Sequence, residues 1–472
     1  MKQFRKVVFE ESNVDSLQTI STASLAMLAF RKILKKPIFN PFVKTKWLHT
    51  EKGLKKCYQY NEKLDDYIRN SYFGGRCEII NTNLIKDASY IDFVSMFSSV
   101  MHQNKFPSGI PTFITDKEYL MKCIEENKVG FILCNVIPNS ESTEYPILPE
   151  KREFKTMFTN CQKTQVFTIV ELNVALKLGY EINPINGFVY YQADTIFTEY
   201  VEKFFDLKAK SKGGKRAFAK LMLNSLYGKF GQYYIITANN YHILSSQADL
   251  DKLIDEFEEF DLVSENVAIT RQTTISIKPF MNVAIASYVT AYARIKLWEN
   301  LHLCELNKIT LYYSDTDSFV IPNVFQEKLR TLTAFGKELG MLDIEHNFEE
   351  AQFFALKCYA FREINKKTQK SELHLKMKGI ERSKIKQIVD SSDSIEEIMI
   401  KIKEPIQLAE RYMKFNSALR QKGGFLGTNA LCKHYSMENL KREFDNSGKS
   451  IAWNDESVEQ FNFNYQMFIP EI

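Results

Sequence analysis

A chain of 472 residues is too long for one hydrophobic core, and about two to four subdomains are expected. Hydrophobic residues make up 44% and charged residues 25%, and no apolar run reaches the roughly 20 residues that span a bilayer, which argues against a membrane protein. The net charge of +4 is slight for this length, so any binding of nucleic acid must rest on local basic clusters rather than on the total.

The opening Met1 to Glu11 lacks the apolar core of a secretory signal and soon turns acidic, so it resembles an organellar transit peptide poorly. A helical stretch is expected over Leu17 to Leu34, followed by a basic segment with proline over Lys35 to Lys46. The pattern from Ala88 to Phe97 reads as a buried strand carrying Asp92, ended by the breaker run Phe106 to Pro111. Residues 112–190 look mixed, with a strand over Val129 to Val136 and a helix over Glu171 to Leu178. A long helical region is expected from Ala193 to Tyr227, broken at Gly213 and Gly214. After it come a polar region from Gln232, a helix over Ala284 to Leu301, a strand over Ile309 to Tyr313, a turn and a return strand over Ser318 to Ile321. The last hundred or so residues alternate helix and loop patterns with high charge. Eight scattered cysteines, with no CxxC pair, read as reduced core thiols.

Two features carry chemistry. In Tyr312-Tyr313-Ser314-Asp315-Thr316-Asp317-Ser318, two carboxylates crowd the tip of an apolar hairpin. Such crowding raises carboxylate pKa values and costs stability unless a cation neutralises it. A calcium loop does not fit, because Phe319 and Val320 occupy positions where that loop needs an oxygen ligand and its neighbours, whereas an ordinary surface turn stays open as a reading of these residues alone. Adding Asp92 from a second strand gives three carboxylates that can clamp two magnesium ions for in-line phosphoryl transfer. The second feature is a stripe of Lys212, Arg216, Lys220 and Asn224, spaced to share one helix face. Like charges at this spacing cost about 0.2 to 0.5 kcal/mol per pair, so the stripe points to a bound anion such as a triphosphate, the alternative being an exposed basic helix.

These residues resemble a family. Asp92-Phe93-Val94-Ser95-Met96-Phe97-Ser98-Ser99 resembles motif A of the family B DNA polymerases, Lys220 to Gly228 resembles motif B, and Tyr313 to Ser318 resembles motif C. Four further matches point to the protein-primed branch of linear plasmids, bacteriophages and adenoviruses. Tyr72-Phe73-Gly74-Gly75 resembles its YxGG element, Thr290 to Arg294 its Tx2AR element, Lys357-Cys358-Tyr359 its KxY element, and Lys378-Gly379 an element near the thumb.

The resemblance implies an α+β right-hand fold with palm, fingers and thumb, the palm built on an antiparallel sheet. Its divisions would be an N-terminal lead-in (1–85), palm (86–111), a first insertion (112–190), fingers (191–230), a second insertion (231–270), palm again (271–385) and a thumb or C-terminal lobe (386–472). It implies a DNA-directed DNA polymerase with two Mg2+ ions, or Mn2+ in their place, acting on a primer-template and deoxynucleoside triphosphates with a terminal protein as a further primer. Asp92 and Asp315 would be the catalytic metal pair, with Asp317 in a lesser role. Phe97, Lys208, Arg216, Lys220, Asn224 and Tyr227 would bind the nucleotide. Tyr72, Gly74, Gly75, Ser95, Thr290, Arg294, Lys357, Tyr359 and Lys378 would touch template or primer, chiefly through phosphates.

Motif A departs from the family in Phe97 for tyrosine, which keeps the bulk that excludes a ribose 2'-hydroxyl, and in Ser98 for proline, which loosens the turn. Only about 70 residues precede Tyr72, where family members carry a proofreading exonuclease domain, so no proofreading is expected of this chain. The rival readings are a catalytically inactive nucleic-acid-binding remnant and a polymerase that copies RNA. The compartment is left open between mitochondrion, virus and cytoplasmic element.

Overall fold

The computed structural model describes residues 2–403 apart from positions 20, 35–37, 39, 51–52, 153–154, 233–234, 257–259, 265–266, 276–279, 379 and 381, and beyond them 406–407, 432–433, 442–444, 447 and 449–452. The expected C-terminal lobe therefore lies mostly outside the described residues.

The centre is an antiparallel sheet of seven strands. In chain order they are β1 (Cys77–Ile79), β2 (Ile85–Phe93), β3 (Tyr313–Asp315), β4 (Ser318–Pro322), β5 (Leu342–Ala355), β6 (Cys358–Ile364) and β7 (Ser371–Met377). Their order across the sheet is β7-β6-β5-β2-β4-β3-β1. β2 lies in the middle because apolar side chains serve both of its faces: Ala88, Tyr90, Ile91 and Phe93 are all buried. Its register sets Asp92 between Ser318 of β4 and Asp343 of β5. The expected strand over Ala88 to Phe97 is shifted towards the N-terminus, since Ser95 adopts a left-handed backbone (φ 54°) and starts a helix at Met96. The strand expected over Ile309 to Tyr313 forms only from Tyr313, where β1 offers it a three-residue partner.

Five helices frame the sheet: α1 (Thr22–Ile33), α2 (Met96–Gln103), α3 (Thr198–Lys210), α4 (Gly213–Ser225) and α5 (Val283–Leu306). α5 is apolar around most of its circumference and runs through the core, as an all-round hydrophobic helix must. α3 and α4 form the broken pair that the glycines foretold, although the first begins at Thr198 because Gln192–Asp194 pairs as a short strand with Phe106–Ser108. The base of this pair packs on α1 through Phe30, whose ring lies 5.2 Å from Phe197, 5.6 Å from Tyr200 and 5.6 Å from Phe230. Residues 112–190 hold a separate four-stranded sheet, Lys163–Thr168, Val129–Ile137, Glu181–Tyr190 and Thr112–Ile114 in spatial order. Residues 235–275 hold a three-stranded one. Cys77, Cys123, Cys134, Cys161, Cys304 and Cys358 are buried outside any disulfide, as expected of reduced core thiols.

One ion pair ties these parts together. Arg294 of α5 donates to Glu171 through Nε (2.9 Å) and Nη2 (2.7 Å), and through Nη1 to the carbonyls of Phe73 (2.9 Å) and Gly74 (3.1 Å). Both side chains are essentially inaccessible, at 1% and 0% exposure. The expectation that Arg294 grips a DNA phosphate is thereby corrected: its donors are spent inside the protein, holding the 72–75 loop. Thr290 needs the same correction, being buried with its hydroxyl donating to the Ser287 carbonyl (3.1 Å).

Breaking a buried pair from one side leaves an unpaired charge, so Arg294→Met should lower unfolding free energy by about 3 to 5 kcal/mol. Lys215→Ala, which breaks the exposed Glu11–Lys215 pair, should cost less than about 1 kcal/mol. Denaturant midpoints of the two variants check the contrast.

Candidate active site

The end of β2, the β3–β4 turn, the start of β5 and the α3–α4 pair enclose a cleft of about 840 Å³. Asp92, Asp317, Asp343 and Glu345 line it on the sheet side, and Lys208, Arg216, Lys220, Asn224 and Tyr227 on the helix side, with Ser95 and Phe97 between. Negative and positive walls thus face each other across one space.

The acidic wall follows from strand register. Asp343 stands opposite Asp92 in the ladder, and a bulge between Ile344 and His346 leaves Glu345 without a ladder partner beside the same strand. Like charges set directly opposite in a sheet are destabilising. Burial and then repulsion from Asp317 and Glu345 push the Asp92 carboxyl up to about 8, against a partial offset from Lys220. Burial, followed by Asp315, lifts Asp317 to about 6. Lys337 pairs with Asp343 at the rim.

The turn itself is held from below. Thr316 adopts φ 63°, a left-handed conformation that is costly for a β-branched residue. Its amide donates to the Arg76 carbonyl (2.6 Å), and the Gly75 backbone packs so close that an added Cβ would lie 2.8 Å from the Thr316 methyl. Glycine at 75 is therefore a packing requirement of the turn, whereas Gly74 is exposed with nothing within 4 Å of a Cβ position.

The two motif C carboxylates have different surroundings. Asp315 accepts from Lys357 Nζ (2.5 Å), from Thr316 Oγ1 (2.9 Å) and from the Tyr313 hydroxyl (3.4 Å). Asp317, not Asp315, lines the cleft with Asp92. The geometry thus exchanges the expected placements: Asp317, given the lesser role on sequence, lines the cleft, and Asp315 lies against Lys357. The reason is the strand period: residues two apart in an extended chain would share a face, but the left-handed Thr316 intervenes and β4 begins only at Ser318. Lys357, itself at φ 58°, has a raised pKa: burial lowers it, but its hydrogen bond to Asp315 and the negative charges around it, Asp315 first, together outweigh burial.

On the basic wall, Lys208 Nζ donates to Ser95 Oγ (2.7 Å), and Arg216 Nη1 to the Lys208 carbonyl (2.9 Å). Burial, then Arg216 and Lys220, lowers the Lys208 pKa. Lys220 and Asn224 are exposed on the same face of α4, while its opposite face buries Phe218, Met222 and Leu223. Phe97 and Tyr227 stack face to face, with centroids 4.4 Å apart and planes within 3°. Ser95, expected on DNA, belongs to this cleft through Lys208.

Among the remaining sequence candidates, Tyr72 is half-buried with its ring against the Gly231 backbone, and Tyr359 is half-buried and stacked on Tyr90 at 6.3 Å. Lys378 is exposed at the end of β7, its amide donating to the Lys357 carbonyl (3.1 Å). Asp343, Glu345 and Lys337 were missed. The readable signal was Leu342-Asp343-Ile344-Glu345, acidic residues two apart in a strand-like run.

The chemistry of the acidic wall fits a magnesium ion: burial and then mutual repulsion raise the Asp92 pKa, and a divalent cation on these hard carboxylate oxygens would favour their charged form. Among the described residues no three such side chains converge into a ready-made metal cage.

Sheet, fingers-like helix pair and facing walls together are the layout of a right-hand polymerase. The chain belongs to the type B DNA polymerases of the organellar and viral kind, whose family model matches residues 1–308. It is 26% identical over 341 residues to a probable DNA polymerase of Agaricus bitorquis, covering 65% of this chain and 41% of that protein. With a DNA polymerase of Bacillus phage Nf it shares 23% identity, covering 66% and 52%. Phi29 DNA polymerase complexed with primer-template DNA and incoming nucleotide substrates superposes with a TM-score of 0.61 at 19% identity, over 83% of this chain and 65% of that one. The chain thus spans between 28% and 52% of the length of these and other similar curated relatives. No helix among the described residues is long and apolar enough to cross a membrane.

The Asp92 shift has a sign that can be checked. Its folded pKa, about 8, lies above the ordinary 3.8, so the unfolded chain releases this proton first and stability falls as pH rises through that window. In chelator, the melting temperature should therefore decline from pH 4 towards 8. Asp92→Asn should flatten the decline, and magnesium should restore stability chiefly at the alkaline end.

Proposed function

We propose that this chain is a DNA-directed DNA polymerase that adds deoxynucleotides to a primer 3'-hydroxyl by two-metal phosphoryl transfer. The observation that carries the reading is the single cleft in which Asp92 and Asp317 face Lys208, Arg216 and Lys220 across the Phe97–Tyr227 stack.

A deoxynucleoside triphosphate fits the cleft with its phosphates along the basic wall. Lys220, Arg216 and Lys208 would bind the phosphate oxygens, each charge-assisted contact contributing roughly 1.5 to 3 kcal/mol. Phe97 would press on the sugar and leave no room for a 2'-hydroxyl, and Tyr227 would hold Phe97 flat and close the pocket under the base. Asp92 and Asp317 would hold divalent ions, with Glu345 and Asp343 adding negative charge behind them. When bound, magnesium supplies activation of the attacking hydroxyl and neutralisation of the developing charge. Removing water from a space walled by fixed charges strengthens every one of these interactions.

The primer-template would lie against Tyr72, Tyr359 and Lys378 on the open side of the sheet. Priming by a protein hydroxyl at initiation belongs to the same reading, supported by the resemblance to the protein-primed branch and by the separate sheets at 112–190 and 235–275, where that branch carries its insertions.

The test is magnesium-dependent extension of a primed DNA template by the purified chain. Asp92→Asn should abolish extension while primer-template binding survives. Lys220→Ala should raise the nucleotide KM by about tenfold or more, the loss of one charge-assisted contact. Binding of DNA without extension by the parent would make the chain an inactive remnant.

A further inference from the structure

A second cluster of buried charges lies beneath the β3–β4 turn, outside the cleft. Glu78 of β1 is 0% exposed and accepts from Arg76 Nε (2.8 Å), while Arg442, more than 350 positions further along the chain, brings its Nη1 to 3.6 Å from the same oxygen. Arg442 is buried as well. Its Nε donates to Ser450 Oγ (2.8 Å) and its Nη2 to the Glu144 carbonyl (2.9 Å). The segment that carries it is pinned to the sheet's edge: Ser450 N donates to the Ile80 carbonyl (2.9 Å), and Lys449 bridges to Asn81. Tyr145 lies against Arg442 at 5.3 Å and Phe158 against Arg76 at 4.4 Å, so each guanidinium also packs on a ring.

Two guanidinium ions on one inaccessible carboxylate are an expensive arrangement, and apolar residues of similar size commonly do as well or better for stability alone. What the arrangement supplies is position. Arg76 donates through Nη1 to the Pro146 carbonyl (2.7 Å), and its own carbonyl receives the Thr316 amide at 2.6 Å. β1 also pairs directly with β3, Cys77 opposite Asp315. A shift of Arg76 by a fraction of an ångström is therefore delivered to the residue between the two motif C carboxylates.

We propose that Arg442 is a positioning residue for this turn: through Glu78 and Arg76 it makes a segment near the end of the chain part of the support that sets where Asp317 stands. The inference rests on reading that turn as metal-binding, and its test is chosen to separate the two.

Hydrogen exchange by mass spectrometry on the full chain compares the parent with Arg442→Met and the milder Arg442→Lys. In Arg442→Met the peptide over 312–319 should exchange about tenfold faster or more, with that over α5 unchanged, and Arg442→Lys should fall between. Mn2+ binding followed by electron paramagnetic resonance should weaken by about tenfold, as for other outer-shell partners of metal ligands. The magnesium needed for half-maximal extension should rise in step while primer-template affinity stays unchanged. Unchanged exchange over 312–319 overturns the proposal, and so does loss of protection throughout both variants, which would make Arg442 a general stability residue. A parent that neither extends primers nor binds Mn2+ defeats the metal-site reading, and the exchange data still decide whether Arg442 fixes the turn.

Discussion

Carboxylates packed close together at the end of a buried strand are the constraint from which the rest of the structure follows. Asp92 sits in the middle of the sheet because β2 is apolar on both faces, and its neighbours in the ladder and across the turn bring Asp317, Asp343 and Glu345 to the same place. Without compensation this array opposes folding, as the displaced Asp92 and Asp317 carboxyls record. The basic face of α4 and the half-buried Lys208 stand opposite but make no ion pair with Asp92 or Asp317 among the described contacts. They leave a gap between the walls, which is what a metal-bound triphosphate requires.

Holding such a site open demands support elsewhere. Three residues around it, Ser95, Thr316 and Lys357, adopt left-handed backbones, a strained conformation that persists only where surroundings over-determine it. The surroundings are buried arginines. Arg294 with Glu171 secures the 73–74 carbonyls, and Arg76 with Glu78 and Arg442 secures the strand beside the turn. Lys357 pairs with Asp315, while Asp317 is the motif C carboxylate that lines the cleft.

Much of this was legible in the sequence because it depends on local pattern. The apolar flanks of Asp92 gave a buried strand, the four-residue spacing of Arg216, Lys220 and Asn224 gave one helix face, and Gly213-Gly214 gave the break between helices. What was not legible depends on pairing between distant segments. The ladder register that sets Asp343 against Asp92 and the bulge at Glu345 have no sign in either strand alone. Arg294 and Thr290 looked like groups for DNA because their burial is decided by helix 169–177 and by the packing of α5, far away in the chain. The exchange of Asp315 and Asp317 turned on one φ angle at Thr316, which the residue type disfavours.

That exchange is where the structural account departs most sharply from motif reading, and comparing the two conservative variants Asp315→Asn and Asp317→Asn in single-nucleotide incorporation decides it. The account predicts that Asp317→Asn loses at least about a thousandfold in rate, the scale of an interaction made in the transition state. Asp315→Asn, which alters contacts with Lys357, Thr316 and Tyr313 outside the cleft, should retain a readily measured rate. The opposite ranking, with Asp315→Asn dead and Asp317→Asn active, would contradict it.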